Sequence, residues 1–483
     1  MAQKITPRSE DYSRWYTDVV VRAELADYSP VRGSMVIRPY GFALWENMQG
    51  ALDDMFKATG HQNAYFPLFI PYSFLEKEAE HVEGFSPELA LVTHGGGKEL
   101  EEPLVVRPTS ETIINSMFAK WIQSYRDLPI LLNQWCNVVR WEMRTRLFLR
   151  TMEFLWQEGH TAHESYQEAE EEARRMLGVY RSFAEEWAAV PVVTGRKSEA
   201  EKFAGADHSY TVEAMMGDRK ALQTGTSHHL GQNFSKAFET RFLDRNNELQ
   251  YPHQTSWGAS TRLVGMVVMV HGDDQGLMLP PRLAPHEVVV VPIAGADTPQ
   301  RHEVGQEAER VAARLQPGHR VHLDDRQELT PGFKFNEWEM KGVPVRLELG
   351  PRDLERGEAV LARRDRPGGA HGKGRQRVPL GGVVDAVGDL LEDIQRELFG
   401  RALAFRQEHS HHPVTYEEMR EGLAEQGGFW YAAWCGSPDC EGTVKVDTQA
   451  TIRCIPFEQP DQVGHCIVCG TTAPEEALFA KAY

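Results

Sequence analysis

Cysteine is scarce in this chain, and the scarcity excludes a disulfide-stapled scaffold: there are six in 483 residues, five of them crowded between Cys435 and Cys469. Basic charge is short as well. Lys and Arg total 52 against 70 Asp and Glu, and the net charge of −18 excludes a surface coated with nucleic-acid-binding charge, so any RNA site must be local. Long apolar runs are missing: the longest, Leu263 to Val270, falls far below the roughly 20 residues that cross a bilayer and reads as a buried strand or helix segment. Met1 to Trp15 mixes charges with Ser, Thr and Pro around no apolar core, matching neither a signal peptide nor a membrane anchor, so no membrane partner and a cytoplasmic location are expected. No internal repeat is evident.

What is present suffices for several cores, at 41% hydrophobic and 10% aromatic, and periodicity divides the chain in three. Residues 1–281 alternate short aromatic or β-branched runs with amphipathic stretches, the pattern of an α+β domain. Within them Ala173, Met176, Leu177, Tyr180, Phe183 and Trp187 recur at helical spacing, which predicts a helix over Tyr166 to Trp187 covering a sheet. Pro280, Pro281 and Pro285 then break the pattern, because proline removes backbone donors and pushes its predecessor out of the helical region. Residues 286–400 follow as a small α/β domain, with strand candidates at Val288–Ile293, Arg320–Leu323, Val343–Leu349 and Ala359–Ala362 and a closing helix on Val387 to Leu398. The Gly- and Arg-rich stretch Pro367 to Arg377 reads as a connecting loop, and His409, His411 and His412 as a solvated helix end.

Residues 401–483 form the last predicted domain, of the α+β kind. Cys435-x4-Cys440 and Cys466-x2-Cys469 are two short knuckles whose four thiolates suit tetrahedral Zn2+, in a closed, structural site with no position left for water. Cys454 lies between the pairs, where it could replace one ligand, though a buried free thiol is the better reading.

The densest chemistry falls between residues 107 and 262. Arg107-Pro108-Thr109-Ser110-Glu111-Thr112 sits at a strand-to-helix turn, where helix capping and a functional role are equally good readings taken alone. Val138 to Glu142 reads as a strand with Arg140 and Glu142 on one face, and Arg150 to Trp156 as a second strand after an arginine-rich turn. Guanidinium forks on strands suit a polyphosphate, which they bind bidentately. Gln223 to Gln232 packs small polar groups between apolar ones, and Gly258-Ala259-Ser260-Thr261-Arg262 sets one arginine against the apolar run, where it needs an anion or an aromatic partner.

Together these segments resemble the three signature motifs of the class II aminoacyl-tRNA synthetases, and in detail the prolyl enzymes of the archaeal and eukaryotic type. Arg38-Pro39-Tyr40-Gly41-Phe42-Ala43-Leu44-Trp45 resembles motif 1, Arg140-Trp141-Glu142 through Phe154 motif 2, and Gly258 through Arg262 motif 3. The combination of Arg-Pro-Thr-Ser-Glu, Val-Val-Arg-Trp-Glu, Arg-Thr-Met-Glu-Phe-Leu-Trp-Gln-Glu-Gly-His and Gly-Thr-Ser-His-His-Leu-Gly-Gln resembles the prolyl branch specifically. The resemblance implies a class II antiparallel-sheet catalytic domain, an α/β anticodon-binding domain and a small zinc-binding domain. It implies proline, ATP with Mg2+ and tRNA(Pro), met at both acceptor end and anticodon, as ligands, and a homodimer through motif 1. By the same carry-over Thr109, Glu111, Arg140 and His228 would hold proline, with Trp156, Glu158 and Phe203 shaping its pocket. Arg140, Arg150, Thr151, Phe154, Gln223, Thr226, Ser260 and Arg262 would meet ATP, adenine lying between Phe154 and Arg262. Arg140, Arg262 and Glu111 would carry the catalytic burden. Glu339, Arg346, Arg352 and Asp353 would read anticodon guanines, whose acceptor and donor edges match guanidinium and carboxylate. The terminal Tyr483 would return toward the active site. Arg262 follows Glu142 by 120 positions, too few for a large editing insertion beside the core. A threonyl or histidyl synthetase, an inactive paralogue and a zinc-stapled RNA-binding protein are the competing readings.

Overall fold

The computed structural model describes residues 5–81, 89–142, 144–294, 300–366 and 374–483. At its centre an eleven-stranded sheet runs in the order Ser410–His411, Phe429–Trp434, Glu475–Ala480, Thr451–Pro456, Val192–Arg196, His208–Met215, Ala221–Gly231, His253–Ser260, Glu153–His163, Ile130–Val139 and Gln62–Asn63. Only the two outermost pairings are parallel; every pairing between them is antiparallel. The first four of these strands come from the cysteine-bearing end of the chain. The third predicted unit is therefore not a separate layer: Ile455 and Pro456 pair with Arg196 and Gly195, so the catalytic sheet continues into it.

The helix predicted over Tyr166 to Trp187 runs from Tyr166 to Ser182 and ends in a π-turn at Phe183–Trp187. Ser165 starts it with a capping box, its Oγ accepting from Glu168 N at 3.3 Å while Glu168 accepts from Ser165 N at 3.1 Å. Its apolar stripe, Ala173, Met176, Leu177 and Tyr180, is buried in the largest core with Trp257, Phe56 and Val212. Gly159 makes that packing close, since a Cβ there would lie 2.0 Å from the Trp257 indole. The Leu263 to Val270 run is a helix, Arg262–His271, buried on nearly all sides.

Two strand expectations are corrected. The Ile130 strand stops at Val139, so Arg140 and Glu142 lie beyond it, and the next strand begins at Glu153 rather than Arg150. The arginine-rich stretch between them makes its own turn, with Arg146 N donating to Arg150 O at 2.6 Å. Local polarity, not alternation, ends the ladder there.

The α/β unit is a five-stranded sheet in the order Val321–Leu323, Val288–Pro292, Val345–Leu349, Glu358–Arg363, Arg375–Pro379. The first three strands are parallel and the last two antiparallel. Residues 375–377, expected at the end of a loop, instead open an edge strand, Arg375–Pro379, while residues 367–373 of that predicted loop lie outside the described residues. The closing helix, Val383–Glu408, is longer than expected and crosses into the third unit. His409 caps its end, His411 packs on Trp430 with ring centroids 4.5 Å apart, and His412 stacks on Tyr431 at 5.2 Å, so this cluster is partly packed rather than wholly solvated. Among the described residues no helix is long and apolar enough to cross a membrane.

Candidate active site

Strand alternation places one row of side chains against the Tyr166–Ser182 helix and the next row over the opposite face. Gln157 belongs to the first row and accepts from the Tyr180 hydroxyl at 2.8 Å. Trp156, Glu158 and His160 belong to the second, where they line a cleft of about 300 Å³. The same cleft gathers Thr109, Glu111, Arg140, Phe154, Phe203, Gln223, Thr226, His228, Ser260 and Arg262, which are distant in sequence.

Thr109 and Glu111 do not cap the helix Glu111–Trp121, which has no side-chain hydrogen bond at its N-cap, Ser110. Thr109 Oγ1 instead donates to Glu111 Oε2 at 2.5 Å, and Ser110 Oγ to Glu158 Oε1 at 2.5 Å. Glu158 also accepts from Gln134 Nε2 at 3.0 Å and pairs with His160 Nε2 at 3.0 Å. Burial works to raise the Glu158 carboxyl, but those donors hold it below the ordinary carboxylate range. Burial likewise opposes protonation of His160, yet Glu158 and Glu111 push it above the usual imidazole value. Glu158 is consequently a buried anion that orients its neighbours. His228 is the opposite case: burial, with Lys197 and His160 nearby, pushes it down to about 3, so it stays neutral and can accept or donate one hydrogen bond. Its Nδ1 meets Ser209 Oγ at 2.8 Å and its ring packs on Phe203 at 4.8 Å.

The arginines are held by backbone carbonyls. Arg140 Nε donates to Pro108 O at 3.0 Å while its guanidinium lies 5.4 Å from the Phe154 ring and 5.3 Å from that of Trp156. Solvent reaches Arg140 through the mouth of the cleft, but surrounding protein still lowers its pKa, against the pull of Glu111 and Glu158. Arg262 donates to Leu149 O at 3.2 Å and Gln223 O at 3.4 Å, and burial, with the charges of Arg140 and Arg150, brings it down to about 10. A buried guanidinium with a second one close enough to depress it defines a place for an anion.

Two expected ATP contacts lie outside the cleft lining. Arg150 is exposed and pairs with Glu142 at 2.5 Å, and Thr151 is buried with its hydroxyl on Glu153 O at 2.7 Å. Conversely, sequence reasoning missed His160, Lys197, Glu201, Lys202, Ser209, Ser256 and Trp257, which all line it. Period-two spacing from Glu158 could have found His160; nothing local marked Lys197.

The four anticodon candidates do not cluster. Glu339 and Arg346 border one small hollow, where Arg346 donates to Glu348 at 3.0 Å and lies 4.0 Å from the Phe335 ring. Arg352 is exposed on the next helix, Pro351–Arg356, whereas Asp353 caps that helix through Gly350 N at 3.1 Å and pairs with Arg377 at 2.7 Å. Cys435, Cys440, Cys466 and Cys469 do converge: their sulfurs lie within 4.8 Å of one another, with Cys435 3.6 Å from Cys440 and 3.7 Å from Cys469. Sulfurs bound at about 2.3 Å to a tetrahedral zinc stand at such separations, so the set fits that ion. Cys454 is fully buried apart from them, and burial pushes its thiol pKa up. Tyr483 is docked rather than frayed, its hydroxyl on Asp218 at 2.5 Å and its amide on Ala221 O at 3.2 Å.

An antiparallel sheet carrying a guanidinium-lined cleft, followed by a mixed anticodon-type α/β unit, defines a class II aminoacyl-tRNA synthetase. Comparison with known families agrees: residues 92–271 match the tRNA synthetase class II core domain for G, H, P, S and T, 287–390 the anticodon binding domain, and 416–483 the prolyl-tRNA synthetase C-terminal domain. The chain is 57% identical to the proline–tRNA ligase of Arabidopsis thaliana chloroplasts and mitochondria, over 99% of this chain and 88% of that one. It is 55% identical to the proline–tRNA ligase of Alkaliphilus oremlandii over 100% and 98% of the two chains, and 54% to that of Roseiflexus sp. over 99% of each. The chain belongs to the prolyl-tRNA synthetase family.

Proposed function

We propose that the protein joins L-proline to tRNA(Pro) in two steps within this cleft. The observation that carries the reading is the convergence of Thr109, Glu111, Arg140, His228 and Arg262 on one wall-to-wall site. Proline's secondary ammonium offers two donors; Thr109 and Glu111 form an acceptor pair of matching size, and Trp156, Phe203 and neutral His228 enclose the ring. Glu158 fixes Ser110 and His160 behind them. Arg140 holds the proline carboxylate against the α-phosphate of ATP. A carboxylate oxygen attacks the α-phosphorus, the bond to the bridging oxygen breaks, and pyrophosphate leaves. A terminal ribose hydroxyl of the tRNA then attacks the carbonyl carbon and AMP departs. No side chain serves as nucleophile; Arg140 and Arg262 stabilise charge and align reactants, with Gln223, Thr226 and Ser260 bordering the nucleotide and adenine between Phe154 and Arg262. Mg2+, arriving with ATP, neutralises phosphate charge. Arg150 would join once the nucleotide draws it from Glu142.

Residues 1–281, 286–400 and 401–483 serve as catalytic, anticodon-binding and zinc-binding parts, with Zn2+ held structurally by the four cysteines. The zinc-bearing end and the strands and helix filling residues 142–262 support the archaeal and eukaryotic architecture without a cis editing domain, in a chain whose relatives above are bacterial or organellar. Exposed Tyr28, Val31, Val36 and Phe42, on and beside motif 1, support a homodimer. Six cysteines, none of them paired in a disulfide, suit the reducing cytoplasm.

Proline-dependent exchange of labelled pyrophosphate into ATP, assayed over all amino acids, tests the reading. Exchange with proline supports it; exchange driven best by threonine or histidine, or by none, overturns it.

A further inference from the structure

Lys197 on the cleft wall and its neighbour Ser198 are both tied to the far end of the chain. Lys197 is 6% exposed and donates from Nζ to Glu213 Oε1 at 3.1 Å. Glu213 has no exposed surface, and it also accepts from Thr211 Oγ1 at 2.8 Å. Its third partner comes from the zinc-bearing end: Arg453, on the Thr451–Pro456 strand, donates through Nε at 3.1 Å and Nη2 at 3.2 Å. Ser198 Oγ donates to Glu441 Oε1 at 2.7 Å, next in sequence to Cys440.

Two buried cations therefore share one buried carboxylate. A protein interior holds charge only where it is compensated, and these three hydrogen-bonded side chains, counted by direct contact, carry one positive charge in excess. Of the two cations only Lys197 lines the cleft. Two further carboxylates lie nearby but outside this hydrogen-bonded group: Glu201 pairs with Lys445 at 3.3 Å, and Glu441 accepts from Ser198. Removal of Arg453 would leave Glu213 to neutralise Lys197 alone.

We propose that Lys197 is a further active-site cation that binds a substrate phosphate, and that Arg453, acting through Glu213, is the positioning residue that keeps its charge available. The proposal rests on the cleft being the adenylation site. Its phosphate belongs either to ATP or to the terminal nucleotide of the tRNA, and two assays separate these sources.

The test uses the full chain with Lys197→Met, Arg453→Met, the double variant and Arg453→Lys, each checked by thermal melting and zinc content. ATP–pyrophosphate exchange reads the first source, and single-turnover prolyl transfer from preformed adenylate to tRNA the second. Lys197→Met is expected to lower kcat/KM by about ten-fold or more, in exchange if ATP supplies the phosphate and in transfer alone if tRNA does. Arg453→Met should depress the same assay, Arg453→Lys should restore most of it, and the double variant should be no worse than Lys197→Met. A folded Lys197→Met with wild-type rates in both assays overturns the proposal. So do effects of the two substitutions that multiply, or an Arg453→Met that melts early yet keeps its kinetics. A wild-type chain without proline-dependent exchange would instead sink the functional reading itself.

Discussion

The cleft and the small α/β unit both concentrate charge, but they settle it differently. In the cleft Arg140 and Arg262 spend their Nε donors on Pro108 and Leu149 carbonyls, and burial with the charge of Arg140 lowers the pKa of Arg262. In the α/β unit charge is closed on itself. Asp324, 1% exposed, takes Arg326, Lys334 and the Trp338 indole at 2.8 Å, while Glu348 takes Arg346 and Arg375. Charge left open toward a cavity marks where a ligand completes the structure; charge closed among side chains marks where the structure is complete already.

The contrast is broken or upheld by three substitutions. Arg140→Ala carries the largest effect: proline-dependent exchange should fall by about 10³-fold or more with little change in melting temperature, since the residue is aimed at substrate. Loss of fold with retained exchange per folded molecule would reverse the assignment. Asp324→Ala should do the opposite, costing about 3 kcal/mol or more in denaturant unfolding because Lys334 is left buried and unpaired, with exchange unchanged in the folded fraction. Burial raises the Asp324 carboxyl, but hydrogen bonds from Arg326 and Trp338 and the charge of Lys334 hold it well below the usual range. A carboxyl with a depressed folded pKa contributes its full stability above the unfolded value near 4 and loses it as pH falls further, so acid melting of the wild type below about pH 4 should be blunted in this variant. Arg352→Ala is the smallest: exposed, it should shift stability by less than about 0.5 kcal/mol, and a rise in KM for tRNA without change in exchange would single it out as an anticodon contact.

Most of the cleft was legible because strand and turn motifs announce themselves at short range. Thr109, Glu111, Arg140, His228 and Arg262 were named through the resemblance those motifs carry, whereas the Tyr166 helix was read from its stripe and the cysteine cluster from its spacing. What escaped was set by contacts across the sheet. Lys197 joins the cleft only because Glu213 and Arg453, 240 positions apart, meet beside it. The Arg150 and Glu142 side chains were expected on strands, but a polar turn that bonds to itself took them off the ladder. The Arg375–Pro379 strand was hidden in a Gly- and Arg-rich stretch whose composition reads as loop, and only an available partner edge, Glu358–Arg363, orders it.

One consequence of the shared eleven-stranded sheet concerns synthesis. The Val192–Arg196 strand finds its outer neighbour only when Thr451–Pro456 has left the ribosome, more than 250 residues later. Until then the nascent catalytic half presents a bare edge, with unpaired amides and carbonyls open to strangers, and a slow, long-range closure still ahead of it. Chaperone dependence should therefore be concentrated in that interval.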